Sequence, residues 1–96
     1  MLSLEDKELL RHAALEMLAA REGTAHLLPA IRRRVAASVD FRFTDDDLAA
    51  ALNYQLEGHY LRFTYDPDGA SKWWQATRSG IDRLERGPVP FPSSHD

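Results

Sequence analysis

The chain has no cysteine among its 96 residues, which excludes a disulfide framework, a thiolate metal site and a cysteine nucleophile. It also has no apolar run approaching the roughly 18 residues of a membrane-spanning helix. Its start, MLSLEDKELL, is acidic where a secretory signal is basic and then apolar. The expectation is a soluble, unprocessed protein that does not engage a membrane, and the lack of cysteine is compatible with a reducing, cytoplasmic setting. Glycine-rich phosphate loops and nucleophile elbows are missing, and His12, His26, His59 and His95 are scattered without paired ligand spacing. The run Asp45-Asp46-Asp47 lacks the alternating ligands and distal glutamate of a calcium loop. No catalytic residue, metal, cofactor or small-molecule ligand is therefore expected, and the protein is read as a non-enzyme.

Hydrophobic residues make up 44% of the sequence and charged residues 28%, which suits one ordinary globular domain. A domain of this size buries roughly 60 to 65% of its unfolded surface, so each large side chain weighs heavily in its stability. Five of the nine aromatic residues fall in the single stretch YLRFTYDPDGASKWWQAT, residues 60–77, and that concentration asks for a structural or binding role. The net charge of -3 argues against nonspecific coating of a polyanion. Its distribution is uneven: residues 29–43 carry four arginines and one aspartate, and residues 44–59 carry four carboxylates and no lysine or arginine.

Local signals order the elements. Ser3 opens a Ser-x-x-Asp helix start, Leu10, Ala14, Met17 and Leu18 share one helical stripe, and Gly23 is a stop, giving a first helix over about 4–21. Thr24 to Leu27 are expected to form a short strand. Pro29 suits the first turn of a second helix that turns Leu28, Ile31 and Val35 inward and ends near Ser38. Thr44 caps a third helix whose first-turn carboxylates favour the positive end of the helix dipole. Leu48, Ala51, Leu52 and Leu56 form its inner stripe, and Gly58 is expected to close it in the left-handed conformation. Leu61, Phe63 and Tyr65 then alternate with Tyr60, Arg62 and Thr64 as in a half-buried strand. Asp66-Pro67-Asp68-Gly69 turns the chain into a return strand over about 72–76. Thr77 caps a last helix with Ile81 and Leu84 inward, ended by Gly87 and Pro88. The domain is assigned to residues 1–87, and the proline-rich residues 88–96 to a loosely ordered tail. The fold class is mainly α with a small antiparallel β-hairpin (α+β), in the order α-β-α-α-β-β-α.

The run Trp74-Gln75-Ala76-Thr77-Arg78-Ser79-Gly80-Ile81-Asp82-Arg83-Leu84 resembles the ending of winged helix-turn-helix domains. There, a second wing strand carries an inward aromatic, Thr caps a final helix with Gly in its first turn, and an aliphatic follows four residues later. Trp74, Thr77, Gly80 and Leu84 match that spacing. Upstream, Glu57-Gly58-His59-Tyr60-Leu61 resembles the passage from the third helix into the first wing strand, and the resemblance covers about residues 4–86. It implies a small regulator or accessory protein of bacterial or phage type. The third helix would enter the major groove of duplex DNA, and the wing tip, residues 66–71, would touch the backbone.

The physical reading gives the hairpin a core duty, since a two-stranded hairpin alone is marginal in water and three short helices do not seal a core. Strand alternation sends Trp73 and Trp74 to opposite faces, so only one is core, and the winged-helix resemblance, through the spacing to Thr77, implies Trp74 inward and Trp73 outward. On the third helix the outward face presents Asp46, Ala50, Asn53, Tyr54 and Glu57. Asn53 suits an adenine edge and Tyr54 a phosphate, and Asp46 and Glu57 repel phosphate. Arg32, Arg33 and Arg34 are the main basic signal, although residues about 100° apart put at most two on one surface. Arg62, Lys72 and Arg78 would extend a positive edge along the wing. The sequence-level site for DNA is thus Arg32, Arg33, Arg34, Asn53, Tyr54, Arg62 and Lys72. The alternative is a protein-docking or homodimerisation module on the same scaffold, with Tyr54, Tyr60 and Trp73 as anchors.

Overall fold

In a computed structural model of the chain, residues 2–21 and 23–86 are described. They form α1 (Leu4–Ala19), α2 (Leu28–Ser38), α3 (Asp45–Glu57), β1 (Leu61–Tyr65), β2 (Lys72–Ala76) and α4 (Arg78–Glu85). The fold is mainly α with one two-stranded antiparallel sheet, and three helices followed by a hairpin and a final helix are compatible with a winged-helix topology. The tail expected over residues 88–96, and the stop at Gly87 and Pro88, lie outside the described residues.

The starts of α1, α3 and α4 each use the capping side chain that the sequence offers. The Ser3 hydroxyl accepts from the Asp6 N–H at 3.0 Å. At α3 the arrangement is reciprocal: the Thr44 hydroxyl accepts from the Asp47 N–H at 3.1 Å, and the Asp47 carboxylate accepts from the Thr44 N–H at 2.9 Å. That N–H holds the Asp47 pKa below its ordinary value, because it stabilises the charged form. Thr77 accepts from the Gly80 N–H at 3.1 Å and donates its own hydroxyl to the His59 carbonyl at 2.7 Å. The cap of α4 is therefore also a tie to the end of α3. Only α2 starts without a side-chain cap, with Pro29 in its first turn.

The core lies where α1 crosses α2 and α3 and where the hairpin and α4 close over α1. Leu10, Leu15 and Leu18 of α1, Ile31 and Val35 of α2, and Leu48 and Leu52 of α3 are almost fully buried. Leu61 and Trp74 join them from the hairpin. Trp74 is 5% exposed, and its neighbour Trp73 is half-buried, so the alternation holds. The register pairs Phe63 with Trp74 and Thr64 with Trp73.

The structure corrects four local expectations. The element order is α-α-α-β-β-α, with no strand over Thr24 to Leu27. That segment contributes one residue, His26, whose N–H and carbonyl each bond Trp74 of β2 at 2.8 Å. Gly23 has positive φ on one side and Leu27 is already the N-cap of α2 on the other, so no length remains for a ladder. Secondly, α1 ends at Ala19 rather than near 21.

Thirdly, the left-handed residue after α3 is His59, with φ of 66°, and not Gly58. The Tyr60 N–H reaches the Gln55 carbonyl and the His59 N–H the Leu56 carbonyl, both at 2.9 Å, the paired bonds of a Schellman ending. Gly58 is needed for space instead, since a Cβ there would press on the Tyr60 ring. Fourthly, Tyr65 is 58% exposed despite its place in the alternation. It stands at the hairpin's far end, edge-on to Phe63 at 5.4 Å between ring centres, beyond the reach of the helices.

Candidate nucleic-acid interface

The outward face of α3 presents Asp46, Ala50, Asn53, Tyr54 and Glu57 to solvent, as its periodicity predicts. What flanks this face comes from other helices. At the N-terminal end the Arg32 guanidinium of α2 lies 3.3 Å from the Asp45 carboxylate. Further along, the Arg11 guanidinium of α1 lies over the Tyr54 ring at 3.8 Å from its centre, a cation–π contact. Arg11 is held there by its own backbone: its carbonyl accepts from the Gln55 side-chain amide at 3.0 Å. Gln55, 6% exposed, is thus a buried polar side chain with a partner, as burial demands.

The arginine run is split by the helix. Arg32 and Arg33 line one open groove with Phe41, Arg42 and Phe43. Arg34 stands with Arg21 near His26 on another flank. Burial first, and then the positive charges of Arg21 and Arg34, lower the His26 pKa from its ordinary value. The nearby Thr24 backbone opposes this shift, but Nδ1 is buried with no partner of good hydrogen-bond geometry among the described residues.

The wing residues are engaged within the hairpin. Arg62 donates to the Gln75 side-chain carbonyl at 3.0 Å. The Lys72 ammonium lies over the Phe63 ring at 4.6 Å and the Trp74 ring at 5.8 Å, on the inner edge of the sheet. The Trp73 indole N–H donates to Asp66 at 2.9 Å. Tyr60 packs against Gly58 and carries Arg83 at 5.1 Å above its ring. In the turn, Asp68 accepts from the Ala70 N–H at 2.8 Å and the Ser71 N–H at 3.2 Å, which lowers its pKa. Arg78 pairs with Asp82 one helical turn on, at 3.8 Å.

Asn53 and Tyr54 thus share the exposed face of α3, and Arg32 stands at its start beside Asp45. Arg33 lies with Arg32 in the groove at Phe41 and Arg34 near His26, whereas Arg62, Lys72 and Trp73 are engaged within the hairpin and Tyr60 lies under Arg83 of α4. Arg11 and Gln55 escaped sequence reasoning. Arg11 reads as a solvated position on α1, and only the crossing of α1 over α3 makes it a neighbour of Tyr54. Gln55 signals itself weakly, as a polar residue on the same helical face as Leu48, Ala51 and Leu52. Among the described residues no group of three or more His, Asp or Glu is placed to hold a metal ion, and no helix is long and apolar enough to cross a membrane. No family model, curated protein or solved structure matches the chain.

Proposed function

We propose that the protein binds duplex DNA as a small winged-helix regulator or accessory factor, with the exposed face of α3 as the reading surface. The observation that carries this reading is the flanking of α3 by Arg11 and Arg32, two cations donated by α1 and α2 to a helix that has none. Two of its three first-turn carboxylates are already engaged, Asp45 with Arg32 and Asp47 in the cap. The repulsion left for a phosphate comes from Asp46 and Glu57. Asn53 supplies the donor–acceptor pair that matches an adenine edge. Tyr54, Arg11 and Arg32 supply phosphate contacts on either side. A bacterial or phage setting follows from the winged-helix resemblance alone.

The docking alternative with Trp73 as anchor is weaker, because the indole is half-buried and its N–H is committed to Asp66. The test is an anisotropy titration with mixed-sequence duplex at low and moderate salt. Nonspecific binding is expected at about 10⁻⁴ to 10⁻⁶ M near physiological salt and tighter below it. Replacing Asp46 with Asn and Glu57 with Gln is expected to tighten it. Arg11→Ala and Arg32→Ala are each expected to lower the salt slope by about 1. Silence from the wild type and the double variant at low salt overturns the reading.

A further inference from the structure

Two grooves meet at Phe41, in the link between α2 and α3, and they differ in charge. The first, about 660 Å³, is lined by Pro29, Ala36, Phe41 and Phe43 together with Arg32, Arg33 and Arg42. The second, about 470 Å³, runs between α1 and the end of α2, with Leu9, Ala13, Ala37 and Val39 as its apolar wall and Glu16 and Asp40 among its polar residues. Phe41 lines both. Leu9 is 49% exposed on the wall of this second groove.

The ionic groups of the two grooves are largely uncommitted. Arg33, Arg42 and Asp40 are exposed and make no hydrogen bond or ion pair with any described residue. Glu16 has only His12 beside it, at 4.0 Å on an exposed helix surface. Arg32 is paired, with Asp45. A basic groove and an acid-rimmed groove thus adjoin on one surface, each with an apolar floor and a shared aromatic at the junction.

We infer that this surface pairs with a second copy of the chain about a two-fold axis beside Phe41. In a two-fold interface each contact occurs twice, so a surface that carries both signs on either side of the axis is its own complement. Position 41 meets itself, and Asp40 of each copy faces Arg42 of the other. Further out, Glu16 faces Arg33. Leu9 and both phenylalanines leave water, which supplies the apolar centre that such interfaces need. An acidic or basic stranger satisfies one groove and leaves the other uncovered, whereas a second copy fills both. The inference does not rest on DNA binding, because it is read without nucleic acid.

The experiment is analytical ultracentrifugation of the full chain from about 1 to about 300 μM, a range that captures a micromolar Kd. The wild type is expected to rise from the mass of one chain, 10.9 kDa, toward twice that value. Arg42→Glu alone and Asp40→Arg alone each set like charges together twice, and each is expected to raise Kd at least about tenfold. An equimolar mixture of the two restores opposite charges at both contacts and is expected to regain the wild-type affinity as a mixed pair. A wild type that stays at one chain throughout overturns the inference and leaves the grooves to another occupant. Variants that associate like the wild type, or a mixture that does not recover, overturn it as well. Circular dichroism checks that the variants are folded. Should either fold poorly, Arg33→Glu mixed with Glu16→Arg makes the same test on helix positions.

Discussion

The hairpin and the α2–α3 pair use their polar side chains in opposite ways. In the hairpin they are bonded to one another: Arg62 to Gln75, Trp73 to Asp66, and Asp68 to the turn backbone. Even Lys72 lies over two rings of its own sheet. Across α2, α3 and their link, Arg33, Arg34, Arg42, Asp46 and Asn53 are exposed and make no hydrogen bond or ion pair among the described residues. The difference separates a part whose polar groups are spent on the fold from a part whose polar groups stay in solvent among the described residues. The concentration of aromatics in residues 60–77 belongs to the first kind. Tyr60, Phe63 and Trp74 pack on the core, and Trp73 is tied to Asp66, while Tyr65 stays exposed at the hairpin's far end.

The harshest way to break this comparison is Trp74→Ala. If the hairpin is a core element, the truncation costs about 3 to 5 kcal/mol in denaturant unfolding. A loss under about 1 kcal/mol, the range of surface changes, would reduce the hairpin to an appendage. Gly80→Ala comes next. Its Cβ would collide with the Tyr60 backbone carbonyl and crowd Leu15, so α4 is expected to shift at a cost of about 1 to 3 kcal/mol. A neutral substitution there would mean that the contact between α4 and the start of the hairpin is loose.

The self-capped start of α3 allows a comparison by pH. Thr44→Ala is expected to cost about 0.5 to 2 kcal/mol at neutral pH. Asp47 has a folded pKa below its ordinary value of 3.8, caused first by the Thr44 N–H. A depressed carboxylate contributes stability that is fully present above 3.8 and is lost as pH falls through the lower folded value. The stability difference between wild type and Asp47→Ala is therefore expected to be constant at neutral pH and to shrink in acid below that value. A difference that persists unchanged into acid removes the carboxylate from the cap.

The smallest effects sharpen the division of labour. Trp73→Phe deletes one hydrogen bond and is expected to cost about 0.5 to 1.5 kcal/mol, with DNA affinity unchanged. Arg62→Ala is expected to stay within about 0.5 kcal/mol in stability and to leave the salt slope of DNA binding where it was, in contrast to Arg11→Ala and Arg32→Ala. A wing substitution that weakens DNA binding as much as those two would erase the distinction between the regions.

Much of the fold was legible because it is written in short-range chemistry. The starts of α1, α3 and α4 follow from Ser3, Thr44 and Thr77, whose hydroxyls reach N–H groups three residues on. Alternation placed Leu61 inside and one of the two tryptophans with it, and the winged-helix spacing to Thr77 pointed to Trp74, which is the buried one. The errors fall where neighbours at one end of an element decide the matter. His59 took the left-handed position because the bonds of Tyr60 and His59 to α3 close there, one residue later than the glycine suggests. The strand expected before α2 shrank to His26 because the cap of α2 consumed its length. The candidate site was half legible: Asn53 and Tyr54 follow from periodicity, and Arg11 does not.

From the sequence alone come the helices, the side-chain caps that start α1, α3 and α4, the hairpin, and the uneven charge of residues 29–59, since all of these depend on spacing within about one turn or one strand pair. Tertiary structure alone decided which charges find partners. Arg32 meets Asp45 and Arg11 covers Tyr54 because α2 and α1 cross α3 at those points. Arg33 and Arg42 find no hydrogen-bond or ionic partner among the described residues, because none of the described elements brings a carboxylate to them. Periodicity names the face of a helix that turns inward, but a charge's partner depends on what lies across the gap, and that is set only when the helices pack.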